Sequence, residues 1–315
     1  MERHRARPRC LAAALASALA TVTAEGADHT REVVRAGDDF GGPGSAFTSF
    51  IAPTINNAGA VVFNARLAGD AITGANNSGV YRYQLTAPAL PVVNGLVELL
   101  REGNSFAAGS GALTPADLFL ARVQLEKPVF NLAVPVVGKF DAIAAQVRTV
   151  GGLAAGDSVI VVEELNLPGF ALAGVEGEDL PGGNGSLRDL AGFNLFGVGI
   201  NGETGFFAAM NNTTGGTADD TALFRYQNGV LTELVREGDA PSGTTLSGVF
   251  SPRMNRTGEV AFLGGLASGD VTTDSAVFRI AGNGTATSRI VVEGDAVPGG
   301  DGEFGTVGAV SISGA

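Results

Sequence analysis

Residues 254–262 read MNRTGEVAF, residues 276–280 AVFRI and residues 291–300 VVEGDAVPGG. Together they describe one β unit. In the first, Asn255-x-x-Gly258 marks a tight hairpin, because glycine takes a positive φ at no steric cost. Val260 and Phe262 then alternate with Glu259 and Ala261, the period of a strand with one buried face. AVFRI alternates in the same way, and the run ending at Val292 stops at Gly294-Asp295, a turn in which Asp bonds its own backbone. The spacing predicts four strands: one ending near Asn255, then Glu259–Phe262, Ala276–Ile280 and Ser288–Val292.

The same phrases recur in order. The Gly-Asp phrase appears as VVRAGDD around Gly37, LLREGNS around Gly103, GVEGEDLPGG around Gly177, LVREGDAPSG around Gly238 and around Gly294, at spacings of 66, 74, 61 and 56 residues. The hairpin phrase returns as INNAGAVVF, Ile55 to Phe63. INGETGFFA, Ile200 to Ala208, reads as a degenerate copy with Thr204 at the glycine position. The third phrase returns as GVYRY (79–83) and ALFRY (222–226). Units of about 60 residues with four antiparallel strands fit the blades of a β-propeller better than the 20–30-residue coils of a β-solenoid, the runner-up, with a double sandwich third. The expected organisation is a repeat domain over 32–315, with units near 37–102, 103–176, 177–237 and 238–293 and a partial fifth over 294–315.

These phrases resemble the bacterial exported proteins built from tandem N-x-x-G-x-V-A-F repeats, often described as having a "choice of anchor". The resemblance covers about residues 32–315 and is weakest in the second unit. It implies export and a propeller-like β fold, and no established activity. A C-terminal anchor sequence is not evident, which departs from that family's pattern.

The second unit, 103–176, lacks the hairpin phrase. In its KFDAIAAQVRTV, Phe140, Ile143, Ala144 and Val147 fall at helical spacing, so a short helix is expected there, on a diverged unit or on one decorated to carry a partner site. A strand like the last of a unit is expected over Glu32–Arg35, and one like the first over Phe304–Ile312. That count suits a longer protein read in part, or a four-bladed ring with an imperfect seam. Unpaired end strands invite self-association.

Residues 1–24 read as an export signal: Arg-rich MERHRARPR, then an Ala- and Leu-rich run from Leu11 to Val22. Residues 25–31 form a polar leader. The expected location is extracellular or in the cell envelope. The run is too short to span a bilayer, and no transmembrane span is expected. Removing the signal takes the single cysteine, Cys10, and shifts the net charge from −12 to −15, since residues 1–24 sum to +3. That sign disfavours nucleic acid and anionic lipid as partners and leaves an extracellular protein or polysaccharide. One histidine, His29, remains in the leader. Without a placed His or Cys, Ser/His/Asp and Cys/His nucleophiles and His- or Cys-based zinc sites have no members.

Carboxylates are the abundant reactive groups. Structural calcium is the one cofactor considered, with Asp38, Asp39, Asp179, Asp239, Asp295 and Asp301 as candidate ligands among glycines, although turn chemistry explains the same residues. The expectation is an exported, non-enzymatic β-repeat protein acting as a surface binding or structural scaffold, with no catalytic residue assigned. The alternative is a carboxylate-dependent carbohydrate-active enzyme, which would need two carboxyls converging in one cleft. Glu163 with Glu164 and Asp219 with Asp220 are the neighbouring acid pairs considered.

Overall fold

In the computed structural model the described residues are 33–40, 44–55, 61–73, 77–83, 95–101, 129–130, 143–148, 158–163, 170–188, 190, 195–199, 202–270 and 272–313. The protein is all-β. Four antiparallel meanders follow one another along the chain, each with its strands side by side in sequence order. The first is β1 (Ser45–Ile55), β2 (Val61–Gly69), β3 (Ser78–Tyr83) and β4 (Leu96–Arg101). The second is β5 (Val129–Phe130), β6 (Ile143–Arg148), β7 (Ser158–Glu163) and β8 (Phe170–Val175). In the third, β9 (Ser186–Leu187) and β10 (Leu195–Val198) share one edge of β11 (Thr204–Asn211), followed by β12 (Thr221–Gln227) and β13 (Val230–Arg236). The fourth is β14 (Leu246–Met254), β15 (Val260–Leu266), β16 (Ser275–Ile280) and β17 (Thr287–Val292).

The hairpin phrase works through a buried asparagine. Asn255 Oδ1 accepts the backbone N–H groups of Thr257 and Glu259, both at 3.0 Å, and the Thr257 hydroxyl at 2.8 Å. Its Nδ2 donates to Glu259 Oε2 at 2.9 Å. Gly258 completes the turn at φ +79°. One side chain thus bonds two backbone donors of the loop between β14 and β15. The equivalent loop of the first meander, around Asn56 and Gly59, lies outside the described residues.

In the third meander the structure corrects the register. Gly202, at φ +83°, is the turn glycine, and Gly199 N–H donates to the Glu203 carbonyl as Asn255 N–H does to that of Glu259. Gly199 therefore holds the asparagine position, and Thr204 is the first strand residue rather than the lost glycine. A Cβ on Gly199 would lie 2.3 Å from Glu203 Oε2, so the buried Glu203 side chain fills the space that asparagine fills elsewhere.

All four sheets carry an irregularity at one place, between the third and fourth strands. Leu99, Ala173, Leu234 and Ile290 are the extra residues there. The second unit, whose sequence lacks the hairpin phrase, shares this bulge and is a diverged copy. Its Ile143–Arg148 segment is strand β6, paired with β5 and β7, and not the expected helix. Pairing on both sides overrides a spacing that local sequence alone reads as helical.

The chain divides into two compact units, one holding β1–β4 and the other β5–β17. In the first, Phe47, Phe63 and Tyr81 are buried with Val61, Leu67 and Tyr83. In the second, one core joins β7, β8 and the third sheet around Phe206 and Phe224, and another joins the third and fourth sheets around Phe262 and Phe278. Facing rings stack in the first, third and fourth repeats: Phe63–Tyr81 at 5.8 Å, Phe206–Phe224 at 5.4 Å and Phe262–Phe278 at 5.2 Å.

Tyr81 is the one tyrosine among these six positions. Its hydroxyl is buried, and a Cβ on Gly79 would stand 2.7 Å from it. The residues equivalent to Gly79 are Ala222 and Ala276, each two before a phenylalanine. Glycine and tyrosine in one repeat thus exchange for alanine and phenylalanine in the others, at nearly constant volume. Gly79→Ala is expected to destabilise by about 1–3 kcal/mol through overpacking. Adding Tyr81→Phe should recover most of that loss. Urea denaturation of the two single variants and the double variant checks it, and simple additivity would refute the coupling.

The Gly-Asp turns also share their bonds. Asp38, Asp239 and Asp295 each accept, through Oδ2 at 2.8 Å, the N–H of the residue three before. The expected end strands are not strands. Residues 33–35 lie outside regular structure and Glu32 outside the described residues. Of 304–312 no residue is in a strand, and Glu303 alone makes a bridge, to Ala296.

Candidate functional site

Arg236 ends β13 as a buried cation. The bulge at Leu234 sets it on the same face as Glu233, since Glu233 sits opposite Phe224 and Arg236 opposite Ala222. Without the bulge, residues three apart on a strand face opposite sides. Arg236 Nε donates to Glu233 Oε1 at 3.0 Å, and the second guanidinium nitrogen to Oε2 at 2.5 Å. This is the bidentate geometry that favours arginine over lysine. The remaining nitrogen donates to the carbonyls of Asn184 at 3.0 Å and Asp219 at 3.3 Å, and lies 3.8 Å from Asp219 Oδ2. Asp239 Oδ2 accepts the Arg236 backbone N–H.

Asn184 joins two loops. Its Oδ1 accepts the Thr214 N–H at 2.7 Å and the Thr214 hydroxyl at 2.9 Å, and its Nδ2 donates to Asp219 Oδ2 at 3.1 Å. The Thr213 hydroxyl first, and then Asn184, Gly215 and Arg236, hold the Asp219 carboxyl below its ordinary range. A Cβ on Gly215 would stand 2.8 Å from the Asp219 carboxyl carbon, so glycine is needed for this approach.

Beside this network lies a cleft of about 470 Å³. Leu180, Pro181 and Leu231 give it an apolar wall, and Asn184, Glu233, Arg236 and Asp239 a polar one. Its size and its few converging polar groups are those of a small-molecule site.

Of the six candidate calcium ligands, the structure brings one, Asp239, to the cleft. Asp38 and Asp295 bond backbone in their own turns. Asp39 and Asp179 lie in backbone bridges with Ala46 and Ser186, and Asp301 is exposed in the turn before Glu303. In the third turn Glu178, rather than Asp179, takes the position of Asp239, and burial raises its carboxyl above the ordinary range. Among the described residues no three His, Cys, Asp or Glu side chains group so as to hold a metal ion. Asp219 and Asp220 diverge: Asp219 turns to Arg236, and Asp220 lies 4.0 Å from Arg188. Glu164 and the Glu163 side chain lie outside the described residues, as do His29, Cys10 and the signal segment.

Sequence reading missed Glu233, Arg236 and Asn184. The signal was present as E-x-x-R, in ELLREG (98–103) and ELVREG (233–238). Its first copy also forms an ion pair across the bulge, Arg101 to Glu98 at 3.4 Å. There burial raises the Glu98 carboxyl and Arg101 opposes the shift.

A family model described as a family of unknown function, DUF7453, matches residues 14–103 and 144–315. The chain belongs to that family. Among curated proteins none matches this DUF7453 member. Solved structures that align with it include an α-L-arabinofuranosidase of Fusarium graminearum, at 8% identity over 77% of this chain and 66% of that one, with a TM-score of 0.34. An α-L-arabinanase of Penicillium chrysogenum aligns at 11% identity over 77% and 67%, with a TM-score of 0.33. An exo-β-1,3-galactanase of Phanerochaete chrysosporium aligns at 12% over 76% and 48%, with a TM-score of 0.31. The DUF7453 chain spans about two thirds of the first two and about half of the third.

The expectation of a non-enzymatic scaffold is corrected here. The three solved structures named above are described as glycan-cleaving enzymes, against which that expectation does not stand. At these TM-scores no residue of theirs maps onto this chain, so any site must be argued from the cleft itself. Among the described residues no helix is long and apolar enough to cross a membrane.

Proposed function

We propose that this protein is an exported carbohydrate-active enzyme, with the carboxyls of Glu233 and Asp239 acting in the cleft beside Arg236. The observation that carries the reading is that both acids line one cleft that also has an apolar wall. Glycoside hydrolysis runs on a pair of carboxyls flanking the scissile bond. A sugar ring offers an apolar face to Leu180, Pro181 and Leu231 and hydroxyls to the polar side. Arg236 positions Glu233, and Asp239 has one oxygen on backbone and the other left for a ligand. We also propose that the four meanders are blades of a β-propeller. Sheets of four neighbouring strands, one shared bulge and near-identical turns between sheets support this.

The test is release of reducing sugar from a polysaccharide panel that includes arabinan and β-1,3-galactan. Glu233→Gln and Asp239→Asn are each expected to lower turnover by about 100-fold or more. Asp38→Asn makes the same loss of charge at the equivalent turn, far from the cleft in sequence, and should leave turnover unchanged. An inert wild type across the panel, or cleft variants as active as Asp38→Asn, would refute the assignment.

A further inference from the structure

The cleft beside Arg236 holds more negative charge than its one cation answers. Glu233 and Asp239 line it, and Asp219 stands behind, 3.8 Å from the guanidinium. Among the described residues of the lining, Arg236 alone is basic. Each of its three guanidinium nitrogens already donates within the protein, to Glu233 or to the carbonyls of Asn184 and Asp219. The surrounding sequence has the same sign: residues 170–239 carry ten acids against three arginines and no lysine. Of the other two arginines, Arg225 donates to the carbonyls of Gly282 and Asn283 in the next sheet, and Arg188 lies 4.0 Å from Asp220.

The backbone does not require this charge. In the fourth sheet Arg289 stands opposite Phe278 where Glu233 stands opposite Phe224, and Val292 stands opposite Ala276 where Arg236 stands opposite Ala222. The same strand and bulge thus form with a cation in place of the acid. Acids that gather at one concave surface without a backbone reason attract a positively charged ligand there. The wall of Leu180, Pro181 and Leu231 selects in addition for a ligand with an apolar C–H face.

We infer that the cleft takes a glycan whose sugars carry free amino groups, protonated to ammonium, in preference to a neutral or a uronic-acid glycan. The inference rests on the carbohydrate reading above and narrows its substrate class. A sugar ring against the apolar wall places its ammonium in the field of Glu233, Asp239 and Asp219. A glycan carboxylate in the same place would meet those acids, with the guanidinium of Arg236 already engaged. A neutral sugar would meet the wall and gain nothing from the charge.

Calorimetric titration of the full chain with a β-1,4-glucosamine oligomer, at a pH below the pKa of its amines, tests this. The comparison ligand is the N-acetylated oligomer, which has the same backbone and no charge. The wild type is expected to bind the amine form about 5-fold or more tightly, with a gap that narrows as salt is raised. Asp239→Asn should weaken the amine form more than the acetylated one. Equal affinity for the two oligomers, or tighter binding of an oligogalacturonate, overturns this inference and leaves the carbohydrate reading standing. A sugar-free polyamine bound as tightly as the glucosamine oligomer also overturns it, since the apolar wall then selects nothing. A preference for the amine form with no cleavage of any glycan supports this inference and refutes the enzyme reading alone.

Discussion

Phe262→Ala is expected to lower the free energy of unfolding by about 3–5 kcal/mol. The ring is fully buried at the centre of β15 and lies 5.2 Å from Phe278 at an interplanar angle of 14°. Leu246, Val260 and Ile280 are buried in the same core as Leu223 and Val235 of the preceding sheet. The ring thus belongs to the contact between two repeats as well as to its own sheet, and stability in repeat proteins rests on both. Phe250 is the control. It is 55% exposed on the neighbouring strand, and its truncation should cost less than about 0.5 kcal/mol. Urea titrations of the two variants give the comparison directly. Equal midpoints would refute the core position of Phe262.

The fourth sheet was legible almost residue by residue. Strand boundaries expected at Glu259–Phe262, Ala276–Ile280 and Ser288–Val292 fall within β15, β16 and β17 or one residue outside. The reason is physical: Asn255 and Gly258 fix the hairpin, and alternation from Val260 onward has one buried face to satisfy. The third sheet was misread by two residues because a side chain substitutes from elsewhere. Once Glu203 occupies the asparagine space, the letter N is free to drift, and Asn201 drew the alignment to itself. The helix expected over 140–147 failed for another reason. An alanine-rich run meets helical and strand spacing alike, and only the flanking strands decide between them.

The cleft was the least legible part. Its polar wall depends on a bulge, and a bulge is a property of two paired strands. Glu233 and Arg236 read as opposite faces of one strand until Leu234 is seen to be extra. Asn184 stands 52 residues before Arg236, and no local pattern links them. The Gly-Asp turns, in contrast, were read correctly as backbone caps at Asp239 and Asp295. That role also explains why these acids are spread around the sheets rather than gathered at one cation.

Arg236→Ala is expected to destabilise by about 1–3 kcal/mol, the cost of leaving the hydrogen-bond partners of a buried guanidinium unsatisfied. The arginine side chain is 8% exposed, so solvent does little to replace it. Its removal strands the Glu233 carboxylate, brings Asp219 out of reach of its cation, and leaves the Asn184 and Asp219 carbonyls without that donor. Arg236→Lys should recover little, because an ammonium offers no fork to Glu233. Changing Arg236 and Glu233 together to methionine should recover more, since no carboxylate is then left without its partner at that pair. The pH dependence follows in sign. Asp219 is held below its unfolded value of 3.8, so its share of stability is full above that pH and is lost as pH falls through the lower folded value. Without Arg236 one of the four groups holding it down is gone, and the acid limb of the stability curve should become shallower. Denaturant midpoints measured from neutral pH down to about 3 separate the outcomes. An Arg236→Ala protein as stable as wild type, with the same acid limb, would mean that the guanidinium holds neither the cleft nor the loops around Asn184 together.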